Sequence, residues 1–194
     1  MKTIAISGSK RQNVGKRDAK ELRYEGKIPA VLYGGKEQVH FAVDITALKP
    51  IIYSADVHFV EIDIEGVKTT AIVQDAQFHP LNEQILHVDF FQLDNAKPLT
   101  MAIPVKLTGT SPGVKMGGKL VHKLRKLRVK ALPQDLPQYV EVSIEPLEVG
   151  KSVRVRDLKF EKFDITNTPE DTIVSVTTSR ALRQAEQEAA KGGK

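Results

Sequence analysis

The chain has 194 residues, of which 41% are hydrophobic and 27% are charged, and it contains no cysteine. The length allows one domain or two of about 100 residues each, and the hydrophobic fraction excludes a wholly disordered chain. The lack of cysteine excludes disulfide scaffolds, thiol catalysis and cysteine-based metal centres. Every apolar run is far shorter than the ~18 residues that cross a bilayer, and the amino terminus has no signal-peptide pattern, so we expect a soluble intracellular protein.

Positive charge is unevenly distributed along the chain. Residues 1–36 contain nine Lys or Arg and three Asp or Glu, whereas residues 37–92 contain two Lys and nine acidic residues. Clustered cations attract nucleic acids through counterion release, although most charge runs are only a solvated surface. With a solvated surface as the open alternative, we predict a secondary basic patch from seven residues with no acidic residue between them: Lys115, Lys119, Lys123, Arg125, Lys126, Arg128 and Lys130.

Strands dominate the first half of the sequence. Alternating apolar residues indicate strands at residues 3–7, 39–43 and 60–64. The dipeptide Glu65-Gly66 then predicts a hairpin turn into a further strand that begins at Val67.

Two helices are predicted among these strands. The segment Lys16–Tyr24 contains neither Pro nor Gly, and Gly26 lies where a left-handed residue would end a helix. On this helix one face carries three cations, which are Lys16, Lys20 and Arg23. A second helix can begin at Asp44, but Pro50 interrupts it, so we expect a short helix or two broken turns between residues 45 and 54.

The strand predicted at residues 85–91 has two faces of different character. One is an ordinary core face formed by Leu86, Val88 and Phe90. The other carries Ile85, His87, Asp89 and Phe91. A purely structural strand has little need of an interleaved imidazole and carboxylate, so this second face is a candidate functional surface. A hydrogen bond between His87 and Asp89 is the open structural alternative.

The polar cluster at residues 94–98 is the best candidate for a linker. The sequence therefore predicts one domain at residues 1–92, a second at residues 93–178, and a frayed helix or flexible tail at residues 179–194. Short strands with frequent turn signals predict a small β-sandwich or roll for the second domain, and a mostly β fold for the whole chain. Pro104 lies within the strand predicted at residues 101–107, which favours an edge strand there.

Catalytic and metal-binding motifs are not recognisable in the sequence. The His and Asp residues between Asp75 and Asp89 follow no known ligand spacing, and Gly34-Gly35-Lys36 lacks the upstream glycine of a phosphate-binding loop. A Ser or Thr with an identifiable paired base is also missing. We therefore predict a binding protein without a cofactor or small-molecule substrate, and a metal-dependent nuclease using His87 and Asp89 is the enzymatic alternative.

Several residues have the chemistry of an RNA-binding surface. Arg11 and Lys16 flank a polar loop that leads into the basic helix face, where Lys can follow phosphates and Arg can make bidentate contacts. Tyr33 could stack on a base, or equally pack in the core with its hydroxyl at the rim. Asp89 belongs near RNA only if it accepts hydrogen bonds from base amino groups. His87, Gln74 and Gln77 would join it in one polar patch.

Ordered motifs run through nearly the whole chain. The first half contains Leu22-Arg23-x-x-Gly26-x-x-Pro29-Ala30-Val31-x-Tyr33-Gly34, Gln74-Asp75-x-Gln77-x-His79-Pro80 and Leu86-His87-Val88-Asp89-Phe90. The second half contains Val105-x-Leu107-x-Gly109, Gly113-Val114-Lys115-x-Gly117-Gly118, Leu132-Pro133 and Asp157-Leu158. In this order and spacing, they make the sequence similar to the bacterial large-subunit ribosomal proteins that bind 5S rRNA, in the long form called general stress protein Ctc.

The resemblance implies a six-stranded β-barrel with short helices in residues 1–92, docked on a helix and internal loop of 5S rRNA. It implies a structural constituent of the cytoplasmic ribosome, with 23S rRNA and neighbouring large-subunit proteins as further partners and no membrane contact. The RNA-contacting residues it implies are Arg11, Lys16, Lys20, Arg23, Tyr33, Gln74, Gln77, His87 and Asp89. Ala19 and Phe78 depart from the family, which can carry Ser and a basic residue there. A stress-linked factor that joins ribosomes conditionally is the alternative.

Overall fold

The structure is a computed structural model that describes residues 2–35, 37–160 and 162–178. Two units are distinguished by their contacts: residues up to 98 group with residues 132–136, and residues 99–131 group with those from 137 onwards. The tail predicted at residues 179–194 lies outside the described residues. Within the described part of the chain, helices are all too short or too polar to cross a membrane.

Six strands of the first unit close into a barrel. They are β1 (Lys2–Lys10), β2 (Lys27–Tyr33), β3 (Val39–Asp44), β4 (His58–Ile64), β5 (Val67–Phe78) and β6 (Ile85–Gln92). Their order around the barrel is β1-β3-β2-β6-β5-β4, with parallel pairing of β1 with β4 and of β2 with β6. Phe41, Phe90 and Ile62 are fully buried in its interior. The structure thus confirms the predicted mostly β fold and the six-stranded barrel.

Two helices pack beside the barrel strands. Helix α1 spans Lys16–Tyr24, as predicted, and Gly26 has a φ of +79° immediately after its last turn. A side chain at this left-handed position would be strained, so the glycine stops the helix and lets the chain enter β2. Helix α2 spans Ile45–Ile52, which confirms the short helix, but it continues through Pro50, so the interruption predicted there is wrong.

The predicted faces of β6 are wrong at the start of the strand. Ile85 is 1% exposed and belongs to the barrel core, whereas Leu86 is only half-buried and lies outside that core cluster. The ladder between β5 and β6 pairs Gln77 with His87 and then Phe78 with Ile85, which leaves Leu86 unpaired in the described register. This irregularity turns Ile85 inward, while strict alternation holds from His87 onwards.

The second unit contains two sheets in its described residues. Its elements are β7 (Leu99–Thr108), α3 (Pro112–Lys115), β8 (Lys119–His122), β9 (Lys126–Ala131), β10 (Val140–Ser143), β11 (Ser152–Arg154), β12 (Asp164–Ile165) and β13 (Thr172–Thr177). The strand orders are β10-β7-β9-β12 in one sheet and β11-β13-β8 in the other.

The prediction that Pro104 marks an edge strand is wrong, because β7 lies between β10 and β9. The first part of β7, from Leu99 to Pro104, pairs with β9, and the part from Val105 to Thr108 pairs with β10. Pro104 therefore lies where the strand changes partner. The ladder with β9 ends at Pro104 and the ladder with β10 begins at Val105. A proline, which has no N–H to donate, is therefore tolerated at this position.

Candidate nucleic-acid interface

The barrel register places five polar side chains on one outer surface. β6 pairs with β2 on one side and with β5 on the other, and directly paired residues share a face of the sheet. Asp89 pairs with Asp75 and His87 pairs with Gln77, while Tyr33 of β2 pairs with Phe91. The surface formed by these residues is called the polar face here, and its members are Tyr33, Asp75, Gln77, His87 and Asp89.

His87 and Asp89 form a hydrogen bond on the polar face. Nδ1 of His87 lies 2.7 Å from Oδ1 of Asp89, which confirms the structural alternative for this pair. The side chains of His87 and Asp89 are nevertheless 28% and 32% exposed. Among the described residues, the Asp89 side chain makes its only hydrogen bond through Oδ1, so Oδ2 can accept from an external donor. The hydrogen bond therefore orients the carboxylate and leaves Oδ2 available as an acceptor.

Asp75 is a member of the polar face that the sequence analysis did not select. It lies directly across the ladder from Asp89, and its Oδ1 accepts a hydrogen bond from the Ala76 N–H at 2.9 Å. The ladder shifts between Val73 and Asp75, so Gln74 is an extra residue in a β-bulge and is exposed. The cross-strand register was the missing signal, because the motif containing Gln74 and Gln77 does not show which residue faces Asp89.

Tyr33 is half-buried at one border of the polar face. Its ring makes an edge contact with Phe91, with ring centroids 5.7 Å apart. Burial, and then the negative charges of Asp89 and Asp75, raise the pKa of the Tyr33 phenol above its ordinary value of 10.0. The hydroxyl therefore remains protonated at neutral pH and can donate a hydrogen bond to an RNA oxygen.

Arg23 connects α1 to the polar face. Its Nε donates a hydrogen bond to the backbone carbonyl of Leu86 at 3.0 Å, next to His87. Leu86 is the unpaired residue of the β5–β6 ladder, so the arginine satisfies an irregular position of the sheet. The terminal guanidinium nitrogens do not bond to any of the described residues and remain free to bind phosphate.

The other predicted cations of this unit differ in whether their charge is free to bind phosphate. Arg11 donates from Nε and Nη2 to Oδ2 of Asp18, at 3.1 and 2.5 Å, and its side chain is only 8% exposed. Lys16 and Lys20 are exposed, and in the described part of the chain neither has a recorded salt bridge. Arg11 therefore fixes the loop before α1, whereas the two lysines present free charge.

Tyr24 is an exposed aromatic side chain that the sequence analysis missed. It is 80% exposed at the last position of α1, and Nζ of Lys20 lies 5.8 Å from the centre of its ring. The spacing of four residues between Lys20 and Tyr24 places them on the same side of the helix and could have revealed the pair. An exposed ring beside a lysine can stack on an unpaired base.

All seven cations of the secondary basic patch are exposed, but they lie on different elements. Lys115 ends α3, Lys119 begins β8, and Lys123 and Arg125 lie in the connection to β9. The remaining three, Lys126, Arg128 and Lys130, alternate along β9. The seven cations of the predicted patch are therefore distributed over α3, β8, β9 and the connection between these two strands.

The described residues do not contain a cluster of potential metal ligands. Within residues 2–35, 37–160 and 162–178, three or more His, Asp or Glu residues do not come together in a way that could hold a metal ion. His79 is instead part of a local turn, in which its Nδ1 accepts from the Leu81 N–H at 3.3 Å.

Comparison with known proteins accounts for both units. Residues 6–90 match the Ribosomal L25p family, and residues 98–180 match the C-terminal domain of ribosomal protein TL5. The large ribosomal subunit protein bL25 of Amoebophilus asiaticus is 46% identical over 194 residues, covering 100% of this chain and 99% of that protein. The protein of the same name from Cytophaga hutchinsonii is 46% identical over 191 residues, covering 98% and 100%. The chain belongs to the bL25 family of large ribosomal subunit proteins.

Membership of the bL25 family confirms the resemblance found in the motifs. It also confirms the predictions of a ribosomal protein and of a chain that is not an enzyme, since this is a family of structural ribosomal proteins. The Bacteroides thetaiotaomicron bL25 protein is 41% identical over 196 residues and covers 98% of this chain and 100% of its own length. The relationship therefore extends over both units.

Proposed function

We propose that the chain is a structural constituent of the large ribosomal subunit that binds 5S rRNA through the polar face and helix α1. The observation that carries the proposal is the paired arrangement of Asp75 and Asp89 beside His87. Carboxylates are repelled by phosphates, so an RNA-binding surface retains them where they accept hydrogen bonds from the amino groups of bases. Membership of the bL25 family and the neighbouring cationic helix support the same conclusion.

Affinity and selectivity come from different residues in this proposal. Lys16, Lys20 and Arg23 attract phosphates and set the register of the complex, which makes binding dependent on salt. The residues that read base edges and backbone shape are those of the polar face, which are Tyr33, Asp75, Gln77, His87 and Asp89, together with Gln74 in the adjacent bulge. Arg11 contributes mainly by holding the loop before α1, because its guanidinium is already paired with Asp18.

Rigid placement of the helix supports recognition. The bond from Arg23 to the Leu86 carbonyl fixes α1 against β6, and the bond from His87 fixes the Asp89 carboxylate. Binding groups that are already positioned lose less conformational entropy when the RNA docks. The proposed interface thus needs little rearrangement on binding.

We also propose that residues 1–92 form the 5S rRNA-binding domain and residues 93–178 a second domain. The secondary basic patch of this second domain would make further contacts with 23S rRNA or neighbouring large-subunit proteins. Its exposed and largely unpaired cations support such a role. No cofactor is required by either contact, and the protein would act on the cytoplasmic ribosome.

Equilibrium binding to transcribed 5S rRNA tests the proposal. Purified protein is titrated against 5S rRNA and against a shuffled RNA of the same length and composition, over a series of salt concentrations. We expect preferential binding of 5S rRNA that persists as salt weakens the affinity for both RNAs. Equal affinity for the two RNAs at every salt concentration would refute the proposal.

Conditional association with ribosomes under stress stays a prediction. Quantifying the protein on ribosomes from unstressed cells separates it from a constitutive role, for which we expect about one copy per large subunit. A copy number that rises only after stress would support the conditional role.

A further inference from the structure

Three cations form a regular row on β9 of the second unit. Lys126, Arg128 and Lys130 are exposed, whereas Leu127, Val129 and Ala131 between and after them are buried. Residues two positions apart on a strand are about 6.6–6.8 Å apart, so the row extends over about 13 Å. This spacing is similar to that between neighbouring phosphates of one nucleic-acid strand.

The strand on one side of this row leaves its cations accessible. Thr100, Ala102 and Pro104 of β7 are the direct cross-strand partners of Lys130, Arg128 and Lys126. All three partners are small or compact and uncharged, so they neither cover nor neutralise the cations. The row, which we call the β9 row, therefore lies on an open part of the sheet.

Two carboxylates lie at the borders of the same sheet face. Asp164 of β12 pairs with Lys130, and Glu141 of β10 pairs with Lys106 of β7. Among the described residues, nevertheless, none of the three cations in the β9 row forms a salt bridge. Lys106 is a fourth cation of this face, and its Nζ lies 4.7 Å from the centre of the Tyr139 ring.

We infer that the β9 row binds the phosphate backbone of an RNA double helix, as a second RNA contact separate from the polar face. The inference rests on the proposed ribosomal function and assigns the second contact to three of the seven cations in the predicted patch. The other four, Lys115, Lys119, Lys123 and Arg125, lie outside β9 and take no part in it. Backbone contacts of this kind position a protein without reading sequence.

The chemistry of the surface favours RNA over an acidic protein. Stable protein interfaces have an apolar centre, usually with large aromatic or aliphatic side chains. Among the described residues, none of the large exposed apolar side chains lies within β7, β9, β10 or β12. Leu132 directly follows β9 and Tyr139 directly precedes β10, so the exposed apolar side chains next to this sheet are at strand ends and not beside the β9 row. Arg128 at the centre of the row can bind a phosphate in bidentate fashion, flanked by two point charges from lysines.

A pair of charge-matched variants of the full-length chain tests the inference. K126Q/R128Q/K130Q removes the β9 row, and K115Q/K119Q/K123Q removes three cations from the other elements. Binding of a short RNA duplex unrelated to 5S rRNA is measured by fluorescence anisotropy over a salt series, with circular dichroism to confirm folding. Each lost phosphate contact should lower the slope of log affinity against log salt by close to one, as it does on B-form DNA, where the value is about 0.9. We expect this slope to fall by about two to three in the β9 variant and by less than one in the control variant.

Equal losses of slope in the two variants would overturn the inference, because net charge alone would then explain binding. An unchanged slope for the β9 variant, with weaker binding of polyglutamate as an acidic polypeptide probe, would overturn it in favour of a protein partner. Both variants should keep the wild-type preference for 5S rRNA over shuffled RNA. If the wild-type chain lacks that preference, the proposed function fails, while the slope difference still decides the role of the β9 row.

Discussion

Asp75 and Asp89 lie directly opposite each other on β5 and β6, so two carboxylates share one outer surface of a protein whose net charge is +5. Like charges in directly paired positions of a sheet are destabilising. The Asp89 carboxylate is stabilised by a hydrogen bond with His87, whose Nδ1 lies 2.7 Å from its Oδ1. The arrangement is understandable as a binding surface, since paired acceptors suit the amino groups of unpaired bases.

Asp89→Asn should reduce the preference for 5S rRNA over shuffled RNA by about 1–3 kcal/mol, with little change in salt dependence. The amide keeps the shape of the side chain but replaces one acceptor by a donor, which cannot accept from a base. Filter-binding titrations measure the effect. Glu61→Gln on β4 is the control, because it removes a half-exposed carboxylate outside the polar face, whose ion pair with Lys68 is exposed and contributes little. Equal changes in selectivity for the two variants would contradict the assignment of Asp89.

Arg23→Ala should weaken binding to all RNAs and lower the salt slope by about one, because a phosphate contact is lost. It should also destabilise the fold by about 0.5–1.5 kcal/mol through loss of the bond to the Leu86 carbonyl. Arg17→Ala is the control on the same helix, since the Arg17 side chain is 93% exposed. Salt titrations and urea unfolding measure both effects. An equal loss of RNA affinity and salt slope in the Arg17 variant would show that the total charge of the helix, and not the position of Arg23, determines binding.

Asp18→Asn should destabilise the first unit by roughly 1–3 kcal/mol, because it leaves the nearly buried Arg11 guanidinium without its charged partner. Glu21→Gln breaks the exposed pair with Arg17 and should change stability little. Urea unfolding of both variants gives the comparison. An equally small change in stability for Asp18→Asn would show that the Arg11 guanidinium does not need Asp18 to hold the loop and is available to RNA.

Gly34→Ala should cost more stability than Gly66→Ala, although both glycines have left-handed φ values, of +94° and +87°. At Gly66 nothing lies within 4 Å of an added Cβ, so only backbone strain of about 1–2 kcal/mol is expected. At Gly34 the added Cβ would lie 2.7 Å from Cε2 of Phe91, the ring that supports Tyr33. The difference in thermal stability between the two variants measures the cost of this clash. Equal losses of stability would show that the clash is absent.

Tyr33 should make stability fall at alkaline pH. Its pKa is raised in the folded protein, so the unfolded chain loses the phenol proton first. The contribution to stability is therefore complete below pH ~10 and is lost as pH rises through the folded pKa. Titration of ring-labelled tyrosine by NMR should show a higher pKa for Tyr33 than in the unfolded chain. Asp89→Asn should move it back towards the ordinary value, and no movement would exclude the electrostatic coupling.

Helix α1 and its carboxyl-terminal end could be predicted from neighbouring residues in the sequence alone. Lys16–Tyr24 lacks helix-breaking residues, and the left-handed Gly26 follows it, so the information lies within a short stretch of sequence. Barrel closure was different, because the pairs β1–β4 and β2–β6 join segments far apart in the chain. Periodicity does not encode such pairings, and the barrel was expected only from the family resemblance.

The errors and omissions in the site have the same origin. Ile85 turns inward because the ladder shifts beside Leu86, and Asp75 faces Asp89 because of a bulge at Gln74. Neither irregularity is visible in the alternation of apolar residues, since each depends on the partner strand. Arg11 likewise gave no sequence signal of its pairing with Asp18, seven residues away.

Chemical footprinting of the purified protein on total ribosomal RNA is the most direct test of the central claim. We predict protection of a helix and internal loop of 5S rRNA, which Asp89→Asn weakens and Glu61→Gln leaves intact. Protection confined to other ribosomal RNA, with 5S rRNA as reactive as in the free state, would contradict the account.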